Sequence, residues 1–158
     1  MGAIPAKTQM PSSKFVFPPN GGIVAANTLF TIKLAIKNLE TGNFVNPDQN
    51  YFSAPQQLNS QGIIRGHSHV VIEKLDSLAQ TTPSDPTVFA FFKGLNDVAQ
   101  DGILTTDVDD GLPAGFYKLS SSNTATNHQP VLVPVAQRGS VDDVVYVSSV
   151  FHLANYRF

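Results

Sequence analysis

The spread of turn-forming residues limits what this chain can fold into. Its 158 residues include 11 glycines and 11 prolines, which interrupt long helices and separate short strands. Between these turns, segment 29–39 alternates apolar and polar residues, and a period of two residues predicts a half-buried strand. The two faces of that strand are Phe30, Ile32, Leu34 and Ile36, and Thr31, Lys33, Ala35 and Lys37.

Further short segments of this kind indicate an all-β fold. We expect strands at 14–17, 29–39, 62–75, 88–92, 103–108, 115–121, 131–137 and 144–150, with one helical turn in 95–102. Roughly seven to nine short strands with frequent turns favour an antiparallel two-sheet Ig-like sandwich. A closed barrel is the alternative arrangement.

Length and composition narrow the class of protein. A chain of 17.0 kDa is one domain, large enough to bury ~70% of its unfolded surface. Charged residues make up 14% and the net charge is -2, which argues against nucleic-acid binding because no basic surface replaces phosphate counterions. No apolar run reaches the ~20 residues that cross a membrane. With 0 cysteines, low charge and many small polar residues, the composition is more typical of an extracellular protein.

The sequence divides into an arm, a body and a tail. We expect an extended arm at 1–13, a β-sandwich domain at 14–150 and a tail at 151–158. An ordered arm without a periodic pattern has to pack on its own domain or on a neighbour. The long loop at 40–61 is expected to pack over an edge of the core, and loops of this length are often functional.

The segment with the clearest chemistry is 66–73, which reads Gly-His-Ser-His-Val-Val-Ile-Glu. On a strand, His67, His69 and Glu73 share one face, whereas Val70 and Ile72 fit the core on the other. Two imidazoles and a carboxylate on one face can bind a divalent transition metal. Alternatively, both histidines hydrogen-bond loop backbone and pack on aromatic rings. We expect no other cofactor.

The spacing His-x-His-x3-Glu is similar to the first metal motif of cupins. A cupin supplies a further histidine after a Pro-x-Gly turn on a later strand. Here the turn is Pro113-Ala-Gly115, and Lys118 lies where that histidine is expected. His128 is a possible substitute, although nothing in the sequence places it near the pair.

Other patterns point away from catalysis. The chain has no Gly-x-Ser-x-Gly motif, and its only glutamates are Glu40 and Glu73, so we expect a protein that is not an enzyme. The carboxylates of 107–111 resemble a calcium loop faintly, but such residues are ordinary at a strand end with a turn. Exposed aromatic rings would suit a carbohydrate-binding face. The candidates are Tyr51, Phe52, Tyr117, Tyr146 and Tyr156.

Several motifs together resemble a family of fungal proteins. They are Met10-Pro-Ser-Ser-Lys-Phe-Val-Phe-Pro18, Thr41-Gly-Asn-Phe-Val-Asn46, the segment 66–73, Phe89-Ala-Phe-Phe-Lys-Gly-Leu-Asn96 and Asn127-His-Gln-Pro130. Over most of its length the chain resembles the C-terminal domain of secreted fungal proteins of unknown function, some with an upstream chitin-binding module of carbohydrate-binding family 19. The resemblance implies secretion, a cell-wall or biomass setting, and an internal position for Met1 in a longer protein. It implies no catalytic residue.

Two functions follow as hypotheses. The first is a secreted structural protein that forms homopolymeric extracellular filaments through its ends, since free sheet edges pair readily and low charge reduces repulsion between copies. The competing expectation is that both ends fold back on their own domain. The second is an extracellular module that binds cell-wall polysaccharide or a metal ion through the face of His67, His69 and Glu73. Candidate ligand or interface residues are Ile4, Met10, Tyr51, Phe52, Phe151 and Tyr156.

Overall fold

The computed structural model describes residues 1–151, and nearly all of its regular structure is β-strand. The strands are β1 (Ser12–Phe17), β2 (Ile23–Ala25), β3 (Phe30–Lys37), β4 (Leu39–Glu40), β5 (Ile64–Leu75), β6 (Phe91–Leu95), β7 (Ile103–Val108), β8 (Gly115–Ala125) and β9 (Val144–Val150). A 3-10 turn at Lys7–Gln9 and a short helix, α1 (Pro47–Asn50), complete these elements. No helix in the described part of the chain is long and apolar enough to cross a membrane.

The strands form two sheets, and the predicted β-sandwich is confirmed. The small sheet has the order β1–β3–β7, and the large sheet has the order β2–β9–β8–β5, with β4 and β6 both paired to β5. Most neighbours are antiparallel, but β2 pairs with β9, and β4 with β5, in parallel. Parallel neighbours need a long connection, and the segment 41–63 is the connection from β4 to β5.

The core lies between the sheets and fixes which side chains the large sheet turns outward. Along β3 the predicted alternation is confirmed, since Ile32 and Leu34 are buried whereas Lys33 is exposed. The large sheet contributes the buried side chains of Val70, Ile72, Leu119, Val145 and Val147. Burial of each such side chain contributes about 1.5–3 kcal/mol. We call the opposite side of the large sheet, which faces away from the small sheet, its outer face.

Two expected elements differ in place or type. The strand expected at 88–92 lies at Phe91–Leu95, where Phe91 is paired with Ile72 of β5. The helical turn expected in 95–102 is replaced by a bend, because Gln100 and Ile103 exchange backbone hydrogen bonds of 2.9 Å that hold a tight turn before β7.

The segment 131–137 is not a strand, although its apolar residues suggested one. Its backbone is held by isolated hydrogen bonds: Val131 N donates to Asn123 O at 3.1 Å, and Leu132 exchanges two bonds with the side-chain amide of Gln56, at 2.9 Å and 3.0 Å. Its apolar side chains serve a second, smaller core cluster. That cluster contains Leu39, Ile64, Val131 and Val141.

The N-terminal arm lies on its own domain in this single chain. Ala3 N donates to Gln56 O at 2.9 Å, and the side-chain amide of Gln56 donates to Ala3 O at 2.7 Å. Asn38 donates to Met10 O at 3.1 Å, and Met10 is half-buried, whereas Ile4 is exposed. At the other end Phe151 is exposed. The rest of the expected tail, including Tyr156, lies outside the described residues.

Candidate functional site

The histidines of β5 lie on the outer face of the large sheet. Ser68, Val70 and Ile72 point into the core and are buried, so His67 and His69 point the other way, as the alternation predicts. His67 is nevertheless 0% exposed, and His69 is half-buried. An outward direction on a sheet therefore does not mean access to solvent here, because another segment covers this end of β5.

The covering segment is the connection 41–63. Asn43 N donates to Gly66 O and Val45 N donates to Thr126 O, both at 3.2 Å, and Phe52 N donates to Asn127 O at 3.0 Å. These bonds tie the connection to β5 and to the turn after β8. The loop expected at 40–61 thus lies across the outer face of the sheet, above the histidines, and not only along a core edge.

A third histidine joins the pair from the turn after β8. His128 has a positive φ of 71°, and its backbone N donates to Ala125 O at 2.9 Å. This turn brings the ring of His128 to 4.8 Å from the ring of His67, centroid to centroid. One ring nitrogen from each of His67, His69 and His128 lies within 4.8 Å of the others. We call these residues the histidine cluster.

Backbone carbonyls fix which ring nitrogens carry hydrogen. A carbonyl oxygen only accepts, so His67 Nδ1 donates to Asn43 O at 3.1 Å and His128 Nε2 donates to Val45 O at 2.6 Å. In the neutral rings the remaining nitrogens, His67 Nε2 and His128 Nδ1, therefore present lone pairs to each other across 3.2 Å. The Thr124 hydroxyl lies 3.1 Å from His67 Nε2 and can donate to it. The cluster thus contains converging nitrogen lone pairs.

Burial keeps His67 and His69 in the form that ligates metals. Burial lowers the pKa of His67 to about 4, and the neighbouring charges of His69 and His128 act in the same direction, against the Asn43 hydrogen bond. Burial, followed by the charge of His128, lowers the pKa of His69 to about 4. At neutral pH both rings are uncharged, which is the form that binds a metal ion.

A polar network holds the carbonyl that orients His67. Arg65 Nε donates to Glu40 Oε1 at 3.1 Å, and Arg65 Nη2 donates to Asn43 Oδ1 at 2.7 Å. A hydrogen bond from Asn59 is the largest of the effects that lower the pKa of Glu40. Glu40 therefore stays ionised and keeps Arg65 and Asn43 in place beside His67.

An open groove of about 540 Å³ lies over the histidine cluster. We call it the aromatic groove, and its lining residues are Phe44, Pro47, Tyr51, Phe52, His69, Phe92, Gly94, Asn96, Ser122, Thr124, His128 and Pro130. No Asp, Glu, Lys or Arg is among these described lining residues. Ligand sites in proteins are commonly clefts of roughly 300–1,000 Å³ with apolar walls and a few polar groups, and this groove matches that description.

Rings follow one another in a row along the groove. Tyr51 stacks on Phe52 at 4.2 Å and lies 5.9 Å from His128, between ring centroids. His128 lies 6.0 Å from His69, which in turn lies 5.4 Å from Phe92. The interplanar angles of these pairs run from 15° to 29°, so the rings are close to parallel. The predicted ligand residues Tyr51 and Phe52 therefore belong to the same groove as the histidines.

Glu73, the third residue of the predicted metal set, is not brought to the histidine cluster. It forms an ion pair of 2.6 Å with Lys118, which stands opposite it on β8. The reason is geometric: a strand rises about 3.3 Å per residue, which puts Glu73 roughly 20 Å along β5 from His67. The structure brings His67 and His69 together with His128 in its place.

The remaining predicted residues lie elsewhere. Tyr117 is buried and donates its hydroxyl hydrogen to Pro113 O at 2.8 Å, so it cannot serve an exposed carbohydrate platform. Tyr146 is exposed on the outer face, on β9. Asp107, in the segment that resembled a calcium loop, accepts a hydrogen bond from Thr31 of the neighbouring strand.

His128 and the carbonyls of Asn43 and Val45 are the site residues that spacing did not place. They lie 61 residues, 24 residues and 22 residues from His67, and only the folded loop and turn bring them together. Two signals in the sequence were available: the motif Asn127-His-Gln-Pro130 and the unusual length of the loop before β5. Neither shows by itself that the two segments meet.

The fold and the site define a β-sandwich domain with a histidine cluster beneath a long crossover loop. The sequence model of the family described as "CLU5d N-terminal domain" matches residues 13–150, and the chain belongs to this family. A relative, "Pathogenicity cluster 5 protein d" of Colletotrichum graminicola, is 45% identical over 145 residues. The match covers 90% of this chain but 30% of the relative. These matches support the coarser expectation of a fungal family, and the family's description names an N-terminal domain where we expected a C-terminal one.

Proposed function

We propose that this domain is an extracellular, non-enzymatic binding module of a fungal protein, and that it binds a divalent transition metal ion at His67, His69 and His128. The observation that carries the proposal is the 3.2 Å distance between His67 Nε2 and His128 Nδ1, two ring nitrogens whose far partners donate to backbone carbonyls. Two acceptors at this distance repel unless a proton or a cation lies between them. Because the relative's name contains the word pathogenicity, the proposal places this domain in a protein connected with fungal pathogenicity.

The distance between the two nitrogens suits one tetrahedral ion. Zinc–imidazole bonds are about 2.0–2.1 Å, so two histidines on one tetrahedral ion hold their nitrogens roughly 3.3 Å apart. His67 Nε2 and His128 Nδ1 are 3.2 Å apart before any ion enters. Imidazole ligands favour zinc, copper and nickel over calcium or magnesium, which take oxygen ligands.

The rest of the cluster supports the same assignment. His69 is half-buried and lines the open groove, so its ring has room to turn toward an ion held by the other two histidines. The carbonyls of Asn43 and Val45 accept from the far nitrogens of His67 and His128. Such partners of metal-bound histidines fix the ring orientation and raise the basicity of the ligand nitrogen.

Calorimetric titration of the chelator-treated protein with zinc, copper(II) and nickel tests the proposal. We expect one site per chain, and a loss of at least about 100-fold in affinity for His128→Ala and for His69→Ala. Glu73→Gln is the matched control, because it alters the predicted ligand that lies at the other end of β5, and its affinity should equal that of the wild type. Circular dichroism establishes that each variant is folded. Absence of a site in folded wild-type protein, or equal affinity in the histidine variants, contradicts the proposal.

Self-assembly is a second candidate, and a separate surface supports it. On the outer face of β2, β9 and the beginning of β8, apolar side chains are 39% to 68% exposed. These are Ile23, Phe116, Val144, Tyr146 and Val150, and we call them the bare face. A net charge of -2 opposes association only weakly, so a second copy of this chain is the proposed occupant.

Sedimentation velocity tests assembly. We expect the wild type to form oligomers as its concentration rises, and Tyr146→Lys with Ile23→Lys to remain monomeric, because two lysines on the bare face repel those of another copy. Phe89→Lys is the control, since Phe89 is 53% exposed but lies outside this face. A wild type that stays monomeric at millimolar concentration excludes this candidate.

A further inference from the structure

We propose that the aromatic groove holds a flat organic anion, a small molecule with an aromatic ring whose anionic oxygen ligates the metal ion of the histidine cluster. This inference rests on the proposed metal site and names the ligand class that the site would take. It concerns the coordination position that three histidines leave open, and the walls on either side of that position.

The charge of the loaded site favours an anionic fourth ligand. Three imidazoles are neutral ligands, so a divalent ion in the cluster keeps its full positive charge. No acidic side chain is among the described residues that line the groove. The glutamates are engaged elsewhere: Glu40 is paired with Arg65 and Glu73 with Lys118. An uncompensated charge beside apolar walls is unfavourable, so the fourth ligand should carry negative charge.

The open position of the ion faces the groove. Within the cluster, His67 is fully buried, whereas His69 and His128 line the groove directly. The carbonyls of Asn43 and Val45 occupy the far nitrogens of two of the rings, and other residues of the same connection form a wall of the groove. A fourth ligand therefore reaches the ion from the groove.

The walls favour a flat body on that anion. Phe44, Tyr51, Phe52 and Phe92 present rings that are 47% to 60% exposed around the groove. The ring of Tyr51 lies at 22° to the ring of His128, and the ring of Phe92 at 29° to the ring of His69, so a planar ligand bound at the ion can stack against these two wall residues. Aromatic pairs in offset or edge contact contribute about 0.5–1.5 kcal/mol beyond their buried area. A groove of about 540 Å³ has room for such a ligand.

Three probes separate the charge from the ring. Benzoate carries both, acetate carries the anion without the ring, and benzamide carries the ring without the charge. Each is titrated into cobalt(II)-loaded protein, and the visible bands of the cobalt report a change in its ligands. We expect benzoate to bind at least tenfold more tightly than acetate or benzamide, and only the two anions to change the cobalt spectrum.

A substitution in the wall gives the matched test. Tyr51→Ala should weaken benzoate about five- to tenfold while leaving acetate and cobalt affinity unchanged, because it removes a stacking ring and no metal ligand. Tyr146→Ala is the control, since Tyr146 is an exposed aromatic residue on the bare face.

The outcomes distinguish this inference from the metal proposal. If cobalt and zinc do not bind, the proposed function itself fails. If the metal binds but benzoate binds no better than acetate, the metal site stands and the aromatic ligand is excluded. If metal-free protein is retained on chitin or β-glucan and Tyr51→Ala abolishes retention, the groove binds a sugar polymer and the organic anion is overturned.

Discussion

The two ends of β5 present polar side chains on the same outer face, but these side chains differ in burial and in their partners. At one end His67 lies under the connection 41–63, with no exposed surface. At the other end Glu73 forms an ion pair of 2.6 Å with Lys118, and the side chains of both keep some exposure, 12% and 27%. We call these the covered end and the open end.

The difference shows what a loop adds to a sheet. At the covered end, burial removes charge from the imidazoles and backbone carbonyls orient them, so the side chains become neutral, positioned ligands. At the open end, a carboxylate and an ammonium that keep only part of their exposure neutralise each other, so neither is free to bind an ion. Residue type alone therefore did not decide which polar group of β5 belongs to a site.

The largest expected difference between the ends is their response to zinc. An ion that binds only the folded protein stabilises it by about 4 kcal/mol when free zinc is 1,000 times the dissociation constant. We expect this gain in urea unfolding of the wild type and of Glu73→Gln, and its loss in His128→Ala. If zinc instead stabilised His128→Ala but not Glu73→Gln, the metal site would lie at the open end and not at the covered end.

A substitution in the backbone of the covered end should come next in size. A Cβ atom on Gly66 would lie 1.9 Å from the carbonyl oxygen of Thr124 on β8. Gly66→Ala must push β5 and β8 apart beside the histidines, and we expect a loss of about 3 kcal/mol in urea unfolding, at the upper end of the usual cost of overpacking.

The control for this change is Gly139→Ala, because a Cβ on Gly139 meets nothing within 4 Å. It should leave stability within about 0.5 kcal/mol of the wild type. A Gly66→Ala protein as stable as Gly139→Ala would show that the two strands are not in close contact at this point.

Acid should weaken the covered end. The pKa of His67 is lowered from 6.5 to about 4 in the folded, metal-free protein, so the unfolded chain binds more protons between these values. Stability is then full above pH 6.5 and falls as pH decreases toward 4, by at most about 3 kcal/mol from this residue. Urea unfolding in chelator at several pH values should show a shallower fall for His67→Gln. Equal slopes in the two proteins would mean that His67 is not buried as a neutral ring.

The smallest effect is expected at the open end. Glu73→Gln removes the charge opposite Lys118 but keeps a polar side chain of similar size. We expect a loss of about 1 kcal/mol or less at neutral pH, and less in high salt, because the pair is partly exposed. A loss above about 2 kcal/mol in urea unfolding would mean that the open end is shielded from water as the covered end is.

Local pattern predicted the body of this fold well. Alternation placed β3 and the core face of β5, since a period of two residues directly reports which side chains a sheet buries. It failed at 131–137, where apolar residues pack into the second core cluster while their backbone is held by isolated hydrogen bonds. It also missed β2 and β4, which are short and pair in parallel with strands distant in the sequence or reached by a long crossover.

The site was predicted in part, for a physical reason. His67 and His69 are neighbours on one strand, and their shared face follows from strand geometry. His128 depends on a turn with positive φ and on loop carbonyls that approach from 22 residues and 24 residues before His67, which no local pattern encodes. The motif predicts Glu73 as a metal ligand because it shares a face with the histidines, but an extended strand carries residues on one face rapidly apart.

The parallel pairing of β2 with β9 sets the order in which the domain can be completed during translation. Ile23 is partnered with Ser148, so an edge strand made early waits for the last described strand before it has a neighbour. Contacts between such remote positions make folding slow. While the ribosome is still adding the intervening residues, the apolar side chain of Val24 has no finished sheet to pack against, so β2 can join the large sheet only after β9 has left the exit tunnel.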